Sequence, residues 1–131
     1  MKEVLCLATG KTYDLILNTS ITAHPTSVPY PKGDTSYLIP IKKGGVLEYL
    51  YDVVTVIECY PEDVYDYKAM LSVENYSNLC RYHEERKETF GYSKEATKYR
   101  FYILKLNRKI EKEYIKKGVQ VSARIDLSDV I

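Results

Sequence analysis

The alternation of apolar and polar positions is clearest between Leu47 and Cys59. The odd positions of this stretch are apolar or aromatic apart from one threonine, whereas the even positions include three carboxylates. Because a side chain changes face at every residue of a strand, the pattern predicts one long strand with an apolar face and a mixed face. Pro61 ends this strand, since proline cannot donate a hydrogen bond to a sheet ladder.

Other apolar runs predict shorter strands at residues 4–8, 13–17, 37–41, 99–106 and 119–127. The first two are separated by Gly10 and Lys11, which predicts a hairpin turn. Residues 107–118 are rich in charge and are predicted to form a turn. Each run is short enough for one crossing of a small sheet.

Residues 62–90 have a different periodicity, in which Tyr76, Leu79, Cys80 and His83 are spaced as one face of a helix. We predict two helices here, interrupted between residues 72 and 77. Arg86 falls among the charged residues of the opposite face, a pattern typical of a solvated surface.

The sequence therefore predicts an α+β fold. We expect a small, curved, mainly antiparallel sheet or an open β-barrel of five to six strands, with a helical insertion at about residues 62–90. A chain of 131 residues can bury one core without disulfides or metal, so residues 1–131 are predicted to form a single domain.

Residues 18–34 are predicted to form a loop, since they contain three of the five prolines, a glycine and many small polar side chains. Long loops in small domains often carry function. The loop is thus the first candidate site, and it offers His24, Ser27, Tyr30 and Lys32 as polar groups.

Charge and cysteine content narrow the function classes. The net charge is +1, so nucleic-acid binding requires a local patch of cations rather than an overall positive field. Three cysteines, an odd number, favour free thiols and a cytoplasmic location. The sequence contains no run approaching the ~18–20 apolar residues of a membrane span, which predicts no membrane association.

Catalytic and metal-binding motifs are incomplete. Gly10-Lys11-Thr12 lacks the first glycine of a phosphate loop. Cys80 and His83 lie one helical turn apart without a second pair of zinc ligands. We therefore predict neither a metal site nor a cofactor. A nuclease with Glu85, Lys87 and an upstream aspartate is a third choice, because these two side chains point to different sides of a helix.

The aromatic content leaves two interpretations open. The sequence has 14 tyrosines, and from Tyr92 to Lys109 they are interleaved with lysine and arginine. Aromatic platforms with cationic flanks are suited to stacking on bases and pairing with phosphates. Alternatively, the tyrosines fill the core while the cations solvate the surface.

The run from Tyr37 to Ile41, the Gly45-Val46-Leu47 step and the strand beginning at Tyr51 resemble the middle of PUA-like barrels of the EVE and ASCH kind. The strand starting at Tyr99 continues the resemblance, which covers about residues 36–131. It implies a PUA-like fold that binds RNA or modified nucleobases beside the sheet. It also implies a set of ligand-binding candidates: an aromatic wall of Tyr37, Tyr51 and Tyr102, with polar contacts from Ser27, Tyr30, Lys32 and Arg100.

The leading hypothesis is a non-enzymatic domain that binds RNA, DNA or a nucleotide-like ligand with or without a modified base. The alternative is a small inhibitor, encoded by a phage or mobile element, that binds a host protein through its tyrosine-rich surface. The oligomeric state does not follow from the sequence.

Overall fold

The computed structural model describes residues 2–27, 33–93, 97–115 and 123–131. Its centre is a six-stranded mixed sheet that is not closed into a barrel, so the predicted α+β fold with an open, curved sheet is confirmed. The strands are β1 (Glu3–Ala8), β2 (Ile21–Pro25), β3 (Tyr37–Lys42), β4 (Val46–Cys59), β5 (Tyr99–Ile115) and β6 (Ala123–Asp126). Their order across the sheet is β2-β5-β4-β3-β1-β6, in which only the β1–β3 pair is parallel.

The longest ladder joins β4 to β5, from the Val46–Ile115 pair to the Cys59–Tyr99 pair. The predicted strand at residues 47–59 is confirmed, but the turn predicted at 107–118 is wrong for residues 107–115, which continue β5. Charged residues fit there because Arg108 and its neighbours are exposed, so the strand keeps its ladder while its side chains stay in water. Three register shifts interrupt the ladder, and such bulges bend and twist a sheet.

The strand predicted at residues 13–17 is also wrong. A 3₁₀ turn at Gly10–Thr12 leads into the helix α1 (Tyr13–Thr19). Short apolar runs do not separate strand from helix by periodicity alone. The helix ends at Ser20, which has a left-handed φ of 57° and donates its N–H to the Ile16 carbonyl.

Two helical segments fill the predicted insertion. A 3₁₀ segment covers Pro61–Met70, and the helix α2 covers Val73–Thr89. The α2 helix begins where the Ser72 hydroxyl accepts a hydrogen bond from the Asn75 N–H (3.1 Å), the usual role of an N-cap serine. Its buried side packs Leu79 and Tyr82 into the larger hydrophobic core. A further 3₁₀ turn covers Leu127–Asp129.

Arg86 does not lie on the solvated face that the charge pattern indicated. Its guanidinium carbon lies 4.8 Å from the ring centroid of Tyr92 and 5.1 Å from that of Tyr99. One guanidinium nitrogen donates to the Tyr82 hydroxyl (2.8 Å) and the Ala23 carbonyl (3.2 Å). Arg86 therefore ties α2 to β2 and β5, and these tyrosines serve the core rather than a stacking surface.

No helix in the described part of the chain is both long and apolar enough to cross a membrane.

Candidate functional site

Four polar side chains meet on one face of the sheet. His24, Arg100 and Glu58 are ladder partners on β2, β5 and β4, and ladder partners share a face. Tyr102 lies two residues beyond Arg100 and faces the same way. His24 and Tyr102 are buried, and the Arg100 side chain is only 12% exposed.

The hydrogen bonds of His24 fix its tautomer. Nδ1 lies 2.7 Å from the Pro25 carbonyl oxygen, which can only accept, so Nδ1 carries the proton. In the neutral ring Nε2 is then an acceptor, and the Tyr102 hydroxyl donates to it across 2.9 Å. Burial lowers the pKa of His24, and the charge of Arg100 acts in the same direction, which favours this neutral form.

Arg100 connects this network to the segment before β3. Its Nη1 donates to Glu58 Oε1 (2.9 Å), and its Nη2 donates to the Gly33 carbonyl (2.8 Å). The guanidinium carbon lies 5.5 Å from the ring centroid of Tyr102. Arg100 is thus held by an ion pair, a backbone carbonyl and an aromatic ring.

A second arginine reaches the same segment from the opposite edge of the sheet. Arg124 on β6 donates to the Asp34 carbonyl across 3.4 Å. Burial raises the pKa of Tyr102, while the charges of Arg100 and Arg124 oppose that rise. The two arginines donate to adjacent carbonyls, those of Gly33 and Asp34.

A surface cavity of about 440 Å³ opens beside residues 34–36. Tyr37 supplies its aromatic side, Lys2 and Arg124 supply cations, and Glu3 and Asp34 are the acidic residues of the lining. Lys2 Nζ lies 5.9 Å from the ring centroid of Tyr37, within the range of a cation–π contact. The cavity therefore combines a half-buried ring with two cations and two acidic residues.

The seven predicted ligand-binding residues do not lie at one place in the structure. Tyr37 lines the cavity, and Arg100 and Tyr102 belong to the adjoining network. Tyr51 is 3% exposed within the core and does not line this cavity, so its side chain has no access to a ligand there. Ser27 is exposed just after β2, whereas Tyr30 and Lys32 lie outside the described residues.

Sequence reasoning missed Lys2, Glu58 and Arg124 as members of this region. The alternating pattern at residues 119–127 did place Arg124 on a polar face, but nothing in the pattern indicated that β6 pairs with β1. Within the described ranges, no group of three histidine, cysteine or acidic side chains is arranged to hold a metal ion.

The two histidines predict acid sensitivity. Burial lowers the pKa of both His24 and His83 relative to an ordinary histidine. Below about pH 6.5 the unfolded chain therefore binds more protons than the folded chain, and the free energy of unfolding falls as pH decreases. We expect urea unfolding at pH 7, 6 and 5 to show this loss, with a shallower pH dependence for His24→Gln. An unchanged pH dependence in His24→Gln would contradict the contribution of His24.

No protein-family model matches the chain, and no curated protein matches it in sequence. Two solved structures match its fold: the ASCH protein of Zymomonas mobilis and a single-substitution mutant of that protein, ZmASCH. Both have a TM-score of 0.55 and cover 96% of this chain and 90% of their own, at 9% and 8% identity respectively. The chain thus has the fold of these ASCH structures, which confirms the resemblance to ASCH proteins at the level of fold.

Proposed function

We propose that this protein is a non-enzymatic binding domain that recognises nucleic acid or a nucleotide-like ligand, modified nucleobases included, at the cavity beside Tyr37. One observation carries the proposal: the Tyr37 ring shares a cavity of about 440 Å³ with the cations Lys2 and Arg124. The ASCH-like fold supports an RNA ligand in particular.

The geometry matches what a nucleotide requires. A base stacks on an aromatic ring whatever its sequence, and cations beside the ring pair with phosphates. Ligand cavities are commonly ~300–1,000 Å³, and this cavity falls within that range. Glu3 adds an acceptor for the amino groups of a base.

Hydrogen bonds from two arginines fix the segment that forms one wall of the cavity. Arg100 and Arg124 hold the carbonyls of Gly33 and Asp34, and residues 34–36 form one wall of the cavity. A site whose wall is fixed by hydrogen bonds loses less entropy on binding. Arg100 therefore helps to fix the wall of the Tyr37 cavity, and Tyr102, whose ring lies against the Arg100 guanidinium, acts as a positioning residue.

The test is fluorescence anisotropy with labelled single- and double-stranded RNA and DNA across a salt series. We expect Tyr37→Ala to weaken binding about tenfold through lost stacking. Arg124→Gln should lower the dependence of log Kd on log salt by about 0.7–0.9, the contribution of one phosphate contact. Oligonucleotides carrying modified bases extend the comparison to ligand choice.

Tyr60→Ala is a matched control, because Lys98 Nζ lies 5.8 Å from the Tyr60 ring centroid in another cavity, of about 430 Å³. That cavity is lined by Asp63 and Asp66 against the single cation Lys98, and this excess of acidic residues disfavours phosphate. Tyr60→Ala should leave affinity unchanged. Equal losses in the two variants, or no binding by the wild type at low salt, would contradict the proposal.

A second candidate function is binding to a host protein, as by a small inhibitor from a phage or mobile element. The supporting observation is an apolar groove of about 290 Å³ between β4 and the residues leading into α2. Met70 on its rim is 75% exposed, and Val73 nearby is 89% exposed. A partner captured from nuclease-treated lysate and lost in Met70→Glu would favour this function over the first.

The proposal includes a cytoplasmic location. Cys6, Cys59 and Cys80 are not joined in disulfides within the described part of the chain, and Cys6 and Cys59 are buried. Free thiols persist in reducing compartments, which supports this assignment.

A further inference from the structure

The Arg100 guanidinium is held in a single orientation before any ligand arrives. Its carbon lies 5.5 Å from the Tyr102 ring centroid, and Nη2 donates to the Gly33 carbonyl across 2.8 Å. The planar fork of an arginine matches the paired oxygens of a phosphate when its plane is fixed. Arg100 therefore has the preorganisation of an anion-binding group.

The hydrogen bonding of Arg100 is incomplete. Its Nε–H is buried and has no acceptor in the described part of the chain. Its Nη2 donates to a neutral carbonyl, and its Nη1 is paired with Glu58, the one carboxylate within ion-pair distance of the guanidinium among the described residues. A buried charged donor without an acceptor carries an unrelieved desolvation penalty, so an oxyanion that can reach it is bound more favourably.

Glu58 sits where such an oxyanion would bind. Its Oε1 lies 2.9 Å from Arg100 Nη1, and its side chain is 51% exposed. A carboxylate presents two oxygens to the guanidinium as a phosphate does, but with less charge. Because a half-exposed carboxylate keeps much of its hydration when it leaves, Glu58 can exchange for a ligand at small cost.

We propose that Arg100 is a phosphate site which Glu58 occupies in the absence of ligand, so that Glu58 competes with the ligand and sets its affinity. The inference rests on the proposed function, since the phosphate is one of those of the proposed nucleic-acid ligand. Residues 33–36 connect the two places: Gly33 bonds to Arg100, and the following residues line the cavity.

The first experiment measures binding of inorganic phosphate by thermal shift, with chloride adjusted to constant ionic strength. Removing the competing charge in Glu58→Gln should tighten phosphate binding about fivefold, the upper range for a partly exposed ion pair. Glu48→Gln is the matched control, because Glu48 pairs with Lys42 at 3.3 Å elsewhere on the sheet and is also partly exposed. The double variant Glu58→Gln/Arg100→Gln should lose the gain.

Two outcomes overturn the proposal. Phosphate affinity of Glu58→Gln equal to that of Glu48→Gln shows that Glu58 does not compete. A gain that persists without Arg100 shows that the phosphate binds elsewhere.

A measurement on the wild type avoids dependence on any variant. The Nε–H of Arg100 has no acceptor among the described residues, and its resonance should shift downfield in NMR spectra as inorganic phosphate is added. Absence of a shift at the highest phosphate concentration would contradict the assignment of Arg100 as the phosphate site.

Oligonucleotides with and without a 5′-phosphate separate this inference from the proposed function. A gain by Glu58→Gln on both forms identifies an internal phosphodiester, and a gain on the phosphorylated form alone identifies a terminal phosphate. No gain on either form contradicts the competition. If inorganic phosphate binds at Arg100 while no oligonucleotide binds the wild type, the phosphate site stands and the nucleic-acid function is wrong.

Discussion

Arg86→Ala is expected to lower the free energy of unfolding by about 3 kcal/mol, from lost charged hydrogen bonds and cation–π contacts. Arg86 lies over the rings of Tyr92 and Tyr99, and it donates to the Tyr82 hydroxyl and the Ala23 carbonyl. Its removal leaves the buried Tyr82 hydroxyl without its charged donor and removes the hydrogen bond from α2 to the Ala23 carbonyl on β2. Urea unfolding followed by circular dichroism measures the change.

Arg81→Ala is the control, because Arg81 lies on the same helix and is exposed. Surface substitutions of this kind change stability by less than about 0.5 kcal/mol. Arg86→Lys separates charge from shape: it keeps the positive charge but not the planar fork, so we expect it to recover less than half of the loss. If Arg86→Ala and Arg81→Ala have the same free energy of unfolding, the contacts of Arg86 do not stabilise the fold.

Tyr102→Phe is expected to cost about 2 kcal/mol, the penalty for leaving a buried polar group unmet. The Tyr102 hydroxyl is the donor to His24 Nε2 across 2.9 Å, and both residues are buried. In the variant, His24 Nε2 loses the hydroxyl that donates a hydrogen bond to it. Chemical unfolding at pH 7.5, where His24 is neutral, gives the cleanest measurement.

The double variant Tyr102→Phe/His24→Leu supplies the control. Removing both partners of a hydrogen bond costs less than the sum of the two single changes, because no unmatched polar atom remains. If the losses in unfolding free energy of the two single variants add up to the loss in the double variant, the Tyr102–His24 hydrogen bond contributes no interaction energy. Tyr60→Phe, at a 43% exposed tyrosine, should change stability by under about 0.5 kcal/mol.

Local pattern was sufficient where one face of an element is buried along its whole length. The alternation at residues 47–59 predicted β4, and the 3.6-residue spacing around Leu79 predicted α2. It failed for α1, since the short apolar run at residues 13–17 fits either a strand or a helix. It also failed for β2, which is hidden within the predicted loop because Thr22 and His24 are polar yet buried.

The candidate site was only partly predictable for a related reason. Tyr37 was identified from its place in the resemblance, and it does line the cavity. Lys2 and Arg124 come from β1 and β6 and their flanks, and only the pairing of those strands brings them to Tyr37. Arg86 was wrongly assigned to the solvated face of the helix. The charge pattern shows that Arg86 is polar, but it cannot show that the rings of Tyr92 and Tyr99 cover its guanidinium.

The placement of β6 has a consequence for how the chain is made. The outer edge of β1 is covered by β6, although nearly the whole sequence separates the two strands. During synthesis β1 to β5 are translated before β6, so the outer N–H and C=O groups of β1 stay unpaired until β6 is made. A nascent chain held at this stage exposes a β-strand edge to its neighbours on the same messenger. Slow translation of the codons for β6 would therefore favour aggregation of nascent chains over completion of the sheet.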